Sequence, residues 1–531
     1  MVQGARCEIH AKGEWISKAQ EAFCRYSPIP MNARKDAAIF DGRHVHFIGI
    51  GGCGTSGLAL MMKSRGATVT GSDQSASDTT TSLRTAGIAV SIGNSPLPLK
   101  PEIDLVVYSA AVAADHPELV QAQSMKIETM TYAQALGWAQ SGRTGVSIAG
   151  THGKSTTTAL LAHLLIEAGL DPSVIVGANC PQLNGGGTRT GSETIPSGPL
   201  AGTPGIFVAE ACEFNRSFHS HQPTLALINN VEEDHLDVYG SLDEIVKSFR
   251  VFAGNLPAEE VGGRLLIGHE GAHRRAVASG LQCAVSTFGW SPTADYKVEY
   301  EPSTNATSIC YRNEEMLSWR GRLSGEHNAL NSAAAAILAT WLGATPSAIK
   351  HALEGFAGVE RRMQYLGACV TDTGANVRVF DDYGHHPTEC ERTLTALRNA
   401  ENPGRIICVF QPHQHSRTRF LLEQFAQSFS HADLVIVPPI YFVRDSEIER
   451  TLVSSADLVA RLNAKGTNAR AIDDFAEIGE FLHRQARDGD LIVVMGAGPV
   501  WKIGHDFVKA LTQQTNRAAS MPPRAAASPK E

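Results

Sequence analysis

The stretch Val146-Ser147-Ile148-Ala149-Gly150-Thr151-His152-Gly153-Lys154-Ser155-Thr156 decides the fold of this chain. An apolar run ends in a glycine-rich turn, and Leu160, Leu161, Leu164, Leu165 and Ala168 then recur at helical spacing. Strand, glycine turn and helix start together make an anion site. The N–H groups of the turn converge on one spot, and the helix dipole adds positive potential there. Lys154 falls where it reaches terminal phosphates, and the Ser155 hydroxyl falls where Mg²⁺ is ligated. Ile148 stands where the usual phosphate-loop spacing has its first glycine, so context carries this reading more than pattern does. The stretch predicts a nucleoside triphosphate site made of Gly150, Thr151, His152, Gly153, Lys154, Ser155 and Thr156.

At 531 residues the chain is too long for one core, and its length suggests about three domains. The 43% apolar and 19% charged composition is that of an ordinary globular protein. No apolar run approaches the roughly twenty residues of a membrane span, so no membrane insertion is expected. A formal charge of −8 argues against a nucleic-acid partner, which would call for excess Lys and Arg. Ten cysteines are scattered from Cys7 to Cys408 with no C-x-x-C pair, which points away from a zinc cage or a disulfide scaffold. Lone cysteines fit a reducing compartment, and the N-terminus lacks a basic region followed by a long apolar stretch. A cytoplasmic protein is expected.

Around the phosphate turn, apolar runs alternate with helical patterns, the signature of α/β domains with parallel sheets. The expected strands are His44 to Ile50, Ala67 to Thr70 and Asp104 to Tyr108, then Val146 onward, Ile206 to Ala209 and Leu225 to Ile228. A third set is expected near Val377 and at Ile406 to Phe410, Leu434 to Val437 and Leu491 to Met495. We expect an extension of unknown role over 1–42, with a short helix around Trp15 to Phe23. Domains then follow over 43–142, 143–356 and 357–511, with a disordered tail over 512–531. The Gly-, Ser-, Thr- and Pro-rich segment 181–205 reads as a long mobile loop.

A second glycine loop, Gly49-Ile50-Gly51-Gly52-Cys53-Gly54, follows the first strand, and Asp73 closes the next strand. Alone this is a dinucleotide fingerprint, with an acid for the ribose hydroxyls, and it suggests a dehydrogenase. Yet the same turn holds any nucleoside diphosphate, and two such loops imply two phosphate-bearing ligands. A glycine turn used only for helix–strand packing is the plainer alternative.

Acids and histidines gather at the expected strand ends. Glu210 ends one strand and Glu213 follows it; Asn229 to Asp237, including His235, follows the next. Ligands collect at the carboxyl ends of parallel strands, and an acid beside a phosphate loop is placed to hold Mg²⁺. Further on lie Asp381-Asp382-Tyr383-Gly384-His385-His386-Pro387, and His413, His415, Arg417 and Arg419. Arginines there suit a carboxylate or phosphate by bidentate hydrogen bonding. Paired histidines without cysteines are weak evidence for zinc.

Eight motifs in order carry a resemblance. They are H-F-I-G-I-G-G-C-G-T-S-G at 46–57, G-T-H-G-K-S-T-T at 150–157, E-A-C-E at 210–213 and N-V-E-E-D-H-L-D at 230–237. G-E-H-N-A-L-N at 325–331, E-R-R-M at 360–363, D-D-Y-G-H-H-P-T-E at 381–389 and G-A-G-P-V-W-K-I-G at 496–504 complete the set. From His44 to about Leu511 the chain resembles the Mur ligase family of peptidoglycan synthesis. The resemblance implies an α/β chain of three domains: a Rossmann-like domain for a UDP-sugar, a central P-loop-type ATPase domain, and a Rossmann-like C-terminal domain helping to bind an amino acid. It implies that ATP, UDP-N-acetylmuramic acid and L-alanine give ADP, phosphate and UDP-N-acetylmuramoyl-L-alanine through an acyl phosphate. Mg²⁺, with Mn²⁺ as a substitute, would be held by Ser155, Glu210 and His235.

By the same resemblance Gly49, Gly51, Gly52, Gly54, Ser56, Asp73 and Ser109 bind the UDP-sugar, and Lys154, Glu210, His235, Arg362 and His386 are catalytic. Asn328, Asn331, Arg362 and Asp382 join the ATP site, Arg362 near the phosphates and Asp382 near the ribose. His386, Arg417 and Arg419 grip alanine, and His386 is a candidate to accept the ammonium proton. Ser155 replaces a commoner threonine and keeps the hydroxyl. Substrates spread over three domains imply closure. The rival readings are a recycling ligase that adds a whole tripeptide to the same sugar, a catalytically inactive nucleotide-binding regulator, and the dehydrogenase.

Overall fold

Short apolar strands, each leading into a helix, build parallel sheets because the crossover helices cover both faces. The computed structural model describes residues 40–93, 98–183, 185–371, 374–443 and 445–520. The first sheet comprises β1 (His44–Ile48), β2 (Thr68–Asp73), β3 (Ala89–Ile92), β4 (Leu105–Tyr108) and β5 (Glu128–Thr131). Its order is β3-β2-β1-β4-β5, parallel throughout. The order reverses between β1 and β4, which opens a crevice at their carboxyl ends. The helices Cys53–Ser64 and Tyr132–Gln140 bury Leu58, Met61, Met62 and Leu136 with Phe47 and Val107 in the core of this sheet.

The second sheet has ten strands: β6 (Thr144–Ala149), β7 (Ser173–Ile175), β8 (Thr188–Arg189), β9 (Ile206–Glu210), β10 (Leu225–Ile228), β11 (Arg264–Gly268), β12 (Ala284–Gly289), β13 (Tyr296–Glu301), β14 (Ala306–Tyr311) and β15 (Glu314–Arg320). Their order is β15-β14-β13-β12-β11-β10-β6-β9-β7-β8. The quoted strand β6 lies between β10 and β9, parallel to both and buried along its whole length. The helix Lys154–Glu167 packs between this sheet and the helices Glu326–Trp341 and Pro346–Gly355, and Ser155 to Leu165 are all buried. That explains why its sequence shows no polar stripe: it is covered on all sides.

Both sheets belong to one compact unit ending at Val359, and a second unit starts at Glu360. The second unit carries β16 (Gln364–Val370), β17 (Asn376–Asp382), β18 (Ile406–Phe410), β19 (Leu434–Val437), β20 (Ala469–Ala471) and β21 (Asp490–Met495). Its order is β16-β17-β21-β18-β19-β20, with β16 antiparallel at the edge. The fold is therefore mixed α/β with three sheet-containing domains, as expected. Among the described residues no helix is long and apolar enough to cross a membrane.

Two expectations are corrected. Segment 181–205 is not structureless: β8 pairs with β7, Thr194 bridges Pro204, and Glu193 forms an ion pair with Arg143. Its polar side chains are spent on internal partners, so composition alone misread it. The helix Trp501–Ser520 runs on into the expected disordered tail over 512–520, a stretch that carries no proline or glycine. The expected helix around Trp15 to Phe23 and the end of the tail lie outside the described residues.

Candidate active site

The phosphate turn is shaped by two glycines with left-handed backbones. Gly150 has φ +138° and Gly153 φ +81°. A Cβ on Gly153 would lie 2.4 Å from Asn331 Oδ1, and one on Gly150 3.0 Å from Asn229 Cβ. The segment after β10 holds the turn in place. Thr151 N–H donates to Asn230 O (3.1 Å), His152 N–H to Asn230 Oδ1 (2.8 Å), and Glu232 N–H to Thr151 Oγ1 (2.9 Å). From the helix Glu326–Trp341, Asn331 accepts a bond from Thr157 Oγ1 at 3.2 Å, and Asn328 lies one turn earlier, also buried. The structure thus gathers Gly150 to Thr156, Asn328 and Asn331, all expected at one site.

Lys154 is held by its own turn and by an acid. Its Nζ donates to Gly150 O (2.7 Å) and Thr151 O (3.0 Å) and lies 2.9 Å from Glu213 Oε2. Burial alone would lower its pKa, but Glu213, with Cys212 and Glu210, outweighs burial and holds the ammonium above its ordinary value. Glu210, at the end of β9, accepts from Ser155 Oγ at 3.0 Å and from Gly177 N–H at 2.8 Å. His235 sits at φ +52°, with Nε2 3.8 Å from Glu213 Oε1 and 3.7 Å from Asp234 Oδ2. One ligand atom each from Glu213, Asp234 and His235 falls within 4.8 Å of the others. These donors are mostly hard carboxylate oxygens clustered beside a lysine, a set suited to Mg²⁺. The expected metal residues therefore fall into two adjoining groups, Ser155 with Glu210, and His235 with Glu213 and Asp234. Glu213 and Asp234 belong to the acid clusters expected at these strand ends but were not singled out as metal or ATP residues, and Gly177 was not expected at all. The E-x-x-E spacing and the acid preceding His235 were the available signals for two of them; Gly177 left none.

The second glycine loop occupies the crevice of the first sheet. Gly49 N–H and Ile50 N–H both donate to Ser72 O, and Gly51 N–H donates to Asp73 Oδ2 at 2.8 Å. A Cβ on Gly51 would meet that carboxylate, one on Gly54 would lie 2.5 Å from Tyr132 Oη, and one on Gly49 3.2 Å from Ser109 Cβ. Gly52 caps the helix start, and Ser56 Oγ donates to Cys53 O. Gly49, Gly51, Gly52, Gly54, Ser56, Asp73 and Ser109 are thus brought together, with Asp73 engaged in shaping the loop.

In the second unit Asp382 ends β17, accepting from Met363 N–H (2.8 Å) and Gly384 N–H (2.7 Å). Its burial pushes its pKa up to about 6 against the opposing pull of Arg362. Arg362 lies over the Tyr383 ring, 3.6 Å from Glu389. Buried His386 caps the helix Pro387–Glu401, its Nδ1 accepting from Thr388 N–H at 3.3 Å. Buried Arg417 donates to His413 Nδ1 at 3.1 Å, and the His413 ring meets His385. Arg419 instead forms a bidentate pair with Glu449, at 2.9 and 2.7 Å.

Three family models match in chain order: the Mur ligase family catalytic domain over 44–144, the Mur ligase middle domain over 148–339, and the Mur ligase glutamate ligase domain over 361–498. The chain is 37% identical to the UDP-N-acetylmuramate–L-alanine ligase of Clostridium novyi, spanning 88% of this chain and 98% of that protein. It is 36% identical to the enzyme of that name from Kineococcus radiotolerans, over 91% and 99%. The crystal structure of the UDP-N-acetylmuramate-alanine ligase of Thermotoga maritima superposes with a TM-score of 0.70 at 25% identity, covering 89% of this chain and 99% of that one. A murein peptide ligase from Psychrobacter arcticus gives 0.64 at 25% identity, over 88% and 99%.

Proposed function

Because this chain belongs to the Mur ligase family, we propose that it joins L-alanine to UDP-N-acetylmuramic acid at the expense of ATP, in peptidoglycan precursor synthesis. The observation that supports this most is the Lys154, Ser155 and Glu210 arrangement in a chain matched over almost the whole length of alanine-adding relatives.

A carboxylate is a poor electrophile. Its oxygen attacks the γ-phosphorus of ATP, ADP leaves, and the sugar carries an acyl phosphate. Lys154 offers its ammonium to the transferring phosphoryl group, and the N–H groups of Gly150 to Ser155 orient the polyphosphate. Ser155, Glu210, Glu213, Asp234 and His235 would hold Mg²⁺, or Mn²⁺ in its place, which when bound neutralises charge on phosphoryl oxygens. The alanine amine then attacks the acyl carbon. Phosphate leaves with one former carboxylate oxygen, and the nitrogen loses its proton.

Arg362 and Asp382 serve ATP in this reading, and His386, Arg417 and Arg419 serve alanine. Since His386 Nδ1 accepts the Thr388 N–H, the proton of neutral imidazole sits on Nε2. That tautomer donates a hydrogen bond, which suits the alanine carboxylate better than it suits taking a proton. Arg419 would have to exchange Glu449 for substrate. The diphosphate sits on the Gly49–Gly54 loop, and the reaction belongs in the cytoplasm, where ATP and UDP-sugars are made.

The test is isotopic. UDP-N-acetylmuramic acid labelled with ¹⁸O in its carboxylate should transfer one label to the released phosphate and one to the amide. Unlabelled phosphate would rule out carboxylate activation by ATP.

A further inference from the structure

The turn that carries Arg362 is strained on both sides. Arg361 has φ +58° and Met363 φ +46°, a region that residues with a Cβ rarely occupy and that persists only where the surroundings over-determine it. Two adjacent aspartates on β17 supply those surroundings, and the alternation of a strand sends them to opposite faces of the sheet. Asp382 takes the Met363 N–H from one face. From the other face Asp381, wholly buried, lies 3.4 Å from Arg361 Nε and 3.7 Å from His505 Nε2.

Neither oxygen of Asp381 has a hydrogen-bond partner of good geometry among the described residues, so the Arg361 charge is its main compensation. Arg361 in turn donates through Nη2 to Gly496 O at 2.5 Å, and its guanidinium covers the Tyr383 ring. Its backbone is held as well: N–H to Gln364 Oε1 at 2.8 Å, and C=O from Tyr383 N–H at 2.7 Å. Three separated segments, 361–363, 381–383 and 496–498, thus meet on one ion pair whose carboxylate is wholly buried and whose guanidinium is half-buried. A buried carboxylate that costs this much to keep calls for an explanation.

We propose that Asp381 and Arg361 are positioning residues for the nucleotide. Their ion pair locks the strained turn so that Arg362 is presented over Tyr383 in the orientation that meets ATP. The proposal rests on the reading of Arg362 as an ATP-binding residue.

Steady-state kinetics and melting temperature are compared for Asp381→Asn, the double variant Asp381→Asn with Arg361→Gln, and Arg362→Ala. Asp381→Asn should raise KM for ATP about tenfold and leave KM for the UDP-sugar and for alanine within about twofold. The double variant leaves no unpaired buried charge, so its Tm should be at least that of Asp381→Asn while its KM for ATP stays raised. A double variant restored in both respects would reduce the pair to a structural role and overturn the proposal. So would a normal ATP KM in Asp381→Asn beside a raised one in Arg362→Ala. If Arg362→Ala itself binds ATP normally, the reading of Arg362 fails and the proposal falls with it.

Discussion

Lys154 and Glu213 form a buried pair in which each makes the other tolerable. Replacing Lys154 with Met should cost about 10³-fold in kcat, the scale of losing one preorganised group that stabilises the transition state. It should also destabilise the fold by about 3 kcal/mol, because Glu213 is left buried beside Asp234 without its cation. Added Mg²⁺ should recover part of that loss. Turnover within tenfold of wild type would remove Lys154 from the mechanism. The aspartates of β17 make a different prediction. Burial raises Asp381 and Asp382 from 3.8 to about 6 each. Below pH 4 both folded and unfolded chains hold these protons. As pH rises towards 6 the unfolded chain releases them first, so each residue erodes stability by about 3 kcal/mol across that window. Denaturant titrations of wild type and Asp381→Asn should show a shallower decline for the variant between pH 4 and 6; parallel curves would contradict it. Which residues were legible follows from where they sit. Lys154 and Ser155 follow a glycine turn, Glu210 and Asp382 end strands, and His235 lies in the polar run after β10, positions to which a sequence points. The Lys154–Glu213 pair, the Gly177 bond to Glu210 and the Arg419–Glu449 pair join segments far apart in the chain, and no local pattern encodes them.

Among the elements, the phosphate turn is the least forgiving. Gly153→Ala would force a Cβ to within 2.4 Å of Asn331 Oδ1 in a left-handed backbone. The strain should cost about 1–3 kcal/mol, and the turn should lose ATP binding, measurable by calorimetry with a non-hydrolysable analogue. Normal binding by a folded Gly153→Ala protein would mean that the turn does not hold phosphate. The apolar strands of the parallel sheets were readable because runs such as Leu225–Ile228 and Ile406–Phe410 are continuous and bounded by polar clusters. The antiparallel strands β13 to β15 were not anticipated, since half-buried strands such as Glu314–Arg320 mix polar and apolar residues. Segment 181–205 misled for a related reason: its order comes from side-chain partners such as Arg143, not from its own apolar content.

For the whole molecule, the chemistry demands that an acyl phosphate survive until the amine reaches it, and that requires excluding water. Small-angle scattering should therefore record a smaller radius of gyration with ATP analogue and UDP-sugar together than with either alone; no change would contradict closure. The three-domain fold was legible from two glycine loops and three sets of strands, and the family from motifs spread over most of the chain. The choice of amine was less so, because alanine-adding and peptide-adding ligases share this architecture. The measurement that bears on it most directly is phosphate release from ATP with UDP-N-acetylmuramic acid, comparing L-alanine with the tripeptide L-Ala-γ-D-Glu-meso-diaminopimelate. Turnover with alanine and none with the tripeptide is the predicted result. Turnover with the tripeptide alone would contradict the account and make the protein a recycling ligase.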